Sequence, residues 1–159
     1  MIIRKRLGFT LVELIVVIII LTIISLYAAS RYIGVGSFSA LAIQDSVVAV
    51  ARQVQLNRMQ SNIIDSDDPS SNGNFVLSIS ANCIGSVKGC ASPEGRSDWV
   101  ADDEVTFSVA PNITTVAFDL LGSPQGAAAN GVTIKIHGSN SQAQVSICPN
   151  GFISKSGCL

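Results

Sequence analysis

The chain has 159 residues, 48% of them hydrophobic, 13% charged and 6% aromatic, with a net formal charge of −1. That length fits one domain with a core large enough to stand without disulfides. A chain this apolar and weakly charged is not disordered, and without net positive charge it is not a nucleic-acid binder relying on bulk electrostatics.

The apolar residues crowd the N-terminus. Fifteen of the 21 residues from Leu7 to Tyr27 are Leu, Ile, Val or Phe, and Glu13 is the only charge between Leu7 and Ser30. Arg4, Lys5 and Arg6 precede the run and Arg31 closes it. About twenty such residues at 1.5 Å rise cross a bilayer core of roughly 30 Å. The leading cations place that end in the cytoplasm, so the remainder is expected outside it. Ala28-Ala29-Ser30 offers a small-residue signal-cleavage site, but the run exceeds a secretory h-region and carries an acid. A plain anchor explains the length and the cations and leaves Glu13 unexplained. Insertion tolerates Glu13: fifteen apolar residues contribute about 5–9 kcal/mol against about 3 for a central carboxylate. An acid at that depth implies a partner, the alternative being that Glu13 lies near the interface and snorkels to headgroups.

The residues around Glu13 name a candidate family. Lys5-Arg6, then Gly8-Phe9-Thr10-Leu11-Val12-Glu13, then an unbroken apolar run resemble the class III signal of type IV pilins and type II secretion pseudopilins. The resemblance implies that prepilin peptidase, a membrane enzyme, cuts between Gly8 and Phe9 and N-methylates Phe9, leaving 151 residues. It also implies a job for Glu13, which pairs with the new α-amino group of a neighbouring subunit during assembly. Many major pilins carry glycine where this chain has Thr22 and proline where it has Ser30. Both are absent, so a helix break there is not expected.

Beyond Arg31 the pattern becomes amphipathic. Ala40, Ile43, Val47, Val50 and Val54 recur at spacings of three and four, one face of a helix. Asp45, Arg52, Gln53 and Arg58 lie off that stripe. The spacing predicts a helix continuing to about Asn62, with Gly34 and Gly36 as its flexible point, since each weakens a helix by about 1 kcal/mol. Residues 62–74, with Asp65, Asp67, Asp68 and Pro69, read as a loop. Their order fails the helix-loop-helix calcium pattern. Alternating runs at Phe75–Ile79, Val105–Val109, Val116–Leu120, Val132–Ile136 and Val145–Ile147, with Phe152-Ile153 after a turn, predict an antiparallel sheet.

The expected class is therefore α+β. A basic leader (1–8) precedes a membrane or filament-core helix (9–30) and an amphipathic half of the same helix (31–62). A β head (63–159) follows. The segment Phe118–Gly126 and the strands after it resemble H-type pseudopilins and minor pilins, and the cysteine-bearing tail resembles minor pilins of the mannose-sensitive haemagglutinin type.

Four cysteines outside the cytoplasm point to two disulfides. Cys83 and Cys90 share a Gly-rich loop, and Cys148 and Cys158 flank the last turn. Pairing 83 with 90 and 148 with 158 costs least chain entropy, while a bridge from the Cys83 loop to the tail stays open. The spacings are not those of a zinc ribbon. His137 lacks a nucleophile and orienting acid in any motif. Asp102-Asp103-Glu104 reads as a solvated turn, and Trp99 as an anchor. No phosphate loop or dinucleotide fingerprint occurs, so no enzyme, metal or cofactor is expected.

The resemblance implies a structural minor pilin, held in the inner membrane as precursor and then carried on the pilus at the cell surface. Its partners would be prepilin peptidase, other pilin subunits and the inner-membrane assembly platform. The alternative is an H-type pseudopilin of a type II secretion system. A DNA-uptake pilin is disfavoured, because cleavage leaves seven Lys+Arg against eleven Asp+Glu. An uncleaved single-pass protein with a periplasmic binding domain is the fourth reading.

Overall fold

A computed structural model describes residues 9–32, 38–62 and 72–158. The chain divides into two units, Met1–Val35 and Gly36–Leu159.

The first unit carries α1 (Leu11–Tyr32), 22 residues of almost unbroken Leu, Ile and Val. Its span Leu11–Ala29 is long and apolar enough to cross a membrane, and none of it is buried against protein. Nineteen residues rise roughly 29 Å, the thickness of a hydrocarbon core.

The second unit begins with α2 (Ser39–Met59). Its expected stripe is the face that packs: Ala40, Val47, Val50 and Val54 are buried, with Ile43 at the margin. Covering each such valine contributes about 1.5–3 kcal/mol over leaving it in water. The amphipathic helix expected to reach about Asn62 ends at Met59. Phe38 has a non-helical backbone (φ −125°, ψ −1°), so α2 starts at Ser39. Gly34 and Gly36, the expected flexible point, lie outside the described residues, as do Asp65, Asp67 and Asp68.

The single expected sheet is two. β1 (Val76–Ile79), β2 (Ile84–Ser86), β3 (Trp99–Val100) and β5 (Thr115–Ala117) form one in the order β3-β2-β1-β5. β4 (Val105–Ala110), β6 (Val132–Gly138), β7 (Gln142–Ile147) and β8 (Ile153–Ser154) form the other in the order β4-β6-β7-β8. All pairings among these strands are antiparallel. α2 packs on both sheets, and one apolar core joins Val47, Val54, Leu77, Phe107, Val116, Ile134 and Ile147. The Phe107 amide donates to the Ala81 carbonyl at 2.9 Å and bridges the two sheets.

Two further expectations change. The Cys83–Cys90 stretch is not a loop: it holds β2 and α3 (Val87–Ala91), whose N-cap Ser86 accepts the Gly89 amide at 2.8 Å. Gly85 explains how β3 approaches so closely, since a Cβ there would lie 2.5 Å from the Trp99 Cα. The Val116–Leu120 run ends as strand at Ala117. Beyond it the Asp119 carboxylate accepts the amides of Leu121 (2.9 Å) and Ser123 (2.7 Å) and turns the chain.

Candidate functional site

The chemistry of α1 lies in its few polar atoms. Thr10 precedes the helix, and its Oγ1 accepts the Glu13 amide at 3.2 Å while its carbonyl accepts the Leu14 amide. Thr10-x-x-Glu13 is the spacing of a capping box, with the acid in the first turn where the helix dipole favours negative charge. Deeper in the span, the Thr22 hydroxyl donates to the Ile19 carbonyl and the Ser25 hydroxyl to the Leu21 carbonyl, both at 2.7 Å. Those side chains are satisfied within their own helix, as hydrocarbon demands.

Glu13 differs. Its carboxylate has no hydrogen-bond or ion-pair partner among the described residues. It sits one helical turn from Phe9, which is 85% exposed. Gly8, on the other side of the expected scissile bond, lies outside the described residues. The structure thus presents an apolar helix with internally satisfied hydroxyls and one orphan acid near its start.

The other singled-out residues lie in the head. Cys83 is bonded to Cys90 and Cys148 to Cys158. The first bridge ties the start of β2 to α3, and the second ties the end of β7 to the tail. His137 lies on β6 with its Nε2 2.9 Å from the Ser108 hydroxyl. Asp102 Oδ1 accepts the Glu104 amide within its turn, and the Trp99 indole donates to the Pro93 and Arg96 carbonyls. Among the described residues no three His, Cys, Asp or Glu side chains are grouped to hold a metal ion.

Two features escaped the sequence reading. Thr10 had a signal available in the Thr-x-x-Glu spacing. The second is a half-buried polar knot around the buried Asp98, which forms a bidentate pair with Arg96 (2.6 and 2.9 Å), while Arg96 also donates to Asn74 at 2.9 Å. Burial alone would push the Asp98 carboxyl up, but hydrogen bonds from Arg96 and Ser86, and the Arg96 charge, hold it below the usual carboxylate range. The bond to Asp98 raises Arg96 in turn.

Residues 3–29 match the family model described as the prokaryotic N-terminal methylation motif. No curated protein matches the chain. Two crystal forms of the type IV minor pilin FimU from Pseudomonas aeruginosa are similar in structure. One is 14% identical, with a TM-score of 0.42 over 75% of this chain and 91% of that one. The other is 15% identical, with a TM-score of 0.40 over 70% and 90%. The matched residues include Gly8, Phe9, Glu13 and most of α1, so the chain carries the prokaryotic N-terminal methylation motif at its start.

Proposed function

We propose that the chain is a minor pilin. The precursor sits in the inner membrane, N-terminus in the cytoplasm and head in the periplasm. Prepilin peptidase cuts between Gly8 and Phe9 and methylates Phe9. The inner-membrane assembly platform then moves the subunit into a type IV pilus, where apolar helices pack together and heads face outward for adhesion. The observation that carries this reading is the Glu13 carboxylate, which lies in the matched motif and has no partner among the described residues. In a low-dielectric bundle an unpaired carboxylate costs several kcal/mol, and the α-ammonium of a neighbouring subunit's Phe9 removes that cost. Each subunit then sets the register of the next. The disulfides suit a head exposed to shear and proteases, and the charge after cleavage does not favour nucleic acid.

Mass spectrometry of the mature protein tests the processing step: a methylated Phe9 terminus is expected, and an intact Met1 or a start at Arg31 overturns the reading. Imaging a deletion strain tests the destination, with loss or shortening of pili expected. A pseudopilin of a type II secretion system is the second reading, suggested by the resemblance of the Phe118–Gly126 segment to H-type pseudopilins as well as minor pilins. Normal pili with lost secretion would select it.

A further inference from the structure

The outer face of the second sheet carries a polar surface. Register aligns Thr106, His137 and Gln142 across β4, β6 and β7, and aligns Ser108, Lys135 and Gln144 beside them. These side chains make a two-row grid, while Phe107, Ile136 and Val145, which alternate with them, are buried in the core. A depression of about 390 Å³ opens on the grid, lined by Lys135, His137, Gln142, Ala143 and Gln144.

Three properties set this face apart. The grid contains no carboxylate on a chain with eleven acids. Lys135 has no ion-pair partner among the described residues, whereas Lys155 meets Asp45 and Arg96 meets Asp98. The surface is also held in place. The Ser108 contact occupies His137 Nε2 and leaves Nδ1 as the ring's remaining polar atom, and Gln44 on α2 donates to the Gln144 carbonyl at 2.7 Å. A face braced before it meets a ligand loses less ordering entropy on binding.

Side-chain amides both donate and accept, which suits the hydroxyls of a sugar ring, and a lone ammonium suits one carboxylate. The grid has no Trp, Tyr or Phe ring on which a neutral sugar could stack, so charge must supply part of the affinity. The geometry points to a binding site for an acidic saccharide, with its carboxylate on Lys135 Nζ and its hydroxyls on Gln142, Gln144 and the His137 ring. The biological setting rests on the pilus reading: a head displayed on a filament meets glycans of other surfaces.

The test uses full-length processed protein in detergent micelles, with sialyllactose, a glucuronate-terminated disaccharide and lactose as probes in saturation-transfer NMR and titration calorimetry. The acidic sugars bind at millimolar concentration and lactose does not; a preference between the two acids identifies the sugar. Lys135→Gln weakens binding at least about tenfold, the loss of one charge-assisted bond. Gln144→Ala weakens it less, and both variants keep the wild-type circular dichroism. Equal binding of lactose, binding that survives Lys135→Gln, or no sugar binding overturns the site. Lys135-dependent binding of single-stranded DNA without sugar binding also overturns it. Immunogold labelling of pili separates the two claims. Labelled pili with no sugar binding sink the site alone, and sugar binding by a protein missing from pili sinks the pilus reading alone.

Discussion

The Thr10 hydroxyl accepts the backbone amide of Glu13, so the cap of α1 and its one acid belong to the same turn. The helix therefore begins two residues after the expected cleavage point. Its start fixes Glu13 in the first turn, where the helix dipole stabilises a carboxylate.

Glu13→Ala is expected to leave membrane insertion intact and to cut incorporation into filaments sharply, because the apolar residues already outweigh the acid. Glu13→Gln should behave likewise, since it keeps the shape and removes the charge. Fractionation followed by quantification of sheared pili checks both. Wild-type incorporation of either variant would show that the charge is not used.

Thr10→Val should fray the first turn, at a cost of about 1 kcal/mol for a lost N-cap. Faster amide exchange at Leu11–Glu13 in micelles would report it, with Thr10→Ser restoring protection. Unchanged exchange would mean the cap contributes nothing.

The Cys148–Cys158 bridge closes a loop that contains Lys155. Replacing both cysteines with serine should cost about 3 kcal/mol of head stability. It should also raise the rate of tryptic cleavage after Lys155. The same pair of measurements applies to Cys83–Cys90 and Lys88.

Gln55 donates from one amide nitrogen to the carbonyls of Gly122 and Gly151, both at 2.7 Å, pinning two turns to α2. Gly151 needs its positive φ (81°), and a Cβ there would collide with the Gly122 carbonyl oxygen. Gln55→Leu should lower head stability by about 2 kcal/mol, two hydrogen bonds' worth. Urea denaturation read by Trp99 fluorescence measures it.

Asp98 ionises more readily in the fold than in the unfolded chain. Its contribution is therefore fully present above the unfolded carboxylate value of about 3.9 and disappears as pH falls through the lower folded value. Asp98→Asn should be less stable than wild type at pH 7 by about 2 kcal/mol. The gap should narrow steadily below about pH 4. A gap independent of pH would exclude the ion pair as its source.

Much of this was legible because it depends on residues close in the chain. The apolar run, its flanking cations and Glu13 state a helix long and apolar enough to cross a membrane and carrying one acid, whatever surrounds it. The stripe from Ala40 to Val54 states a helix with one buried face, and alternation located the longer strands. Short strands were not legible. β2 and β3 have three and two residues, too few for any periodicity, and exist because Gly85 lets Trp99 approach. Arg58 was placed off the stripe, yet it is fully buried, with Nε donating to the Phe118 carbonyl at 3.1 Å. Nothing local announces that acceptor, which arrives from 60 residues away.

The chain by itself determined that Leu11–Tyr32 form an apolar helix with a single acid, inside a methylation motif, because hydrophobicity and charge act residue by residue. The tertiary structure decided that the strands divide into two sheets over α2, that Arg58 and Asp98 are buried with partners, and that Lys135 and His137 share a carboxylate-free face with Gln142 and Gln144. Those outcomes depend on strand register and on carbonyls brought from distant segments, and such pairings exist only once the core has closed.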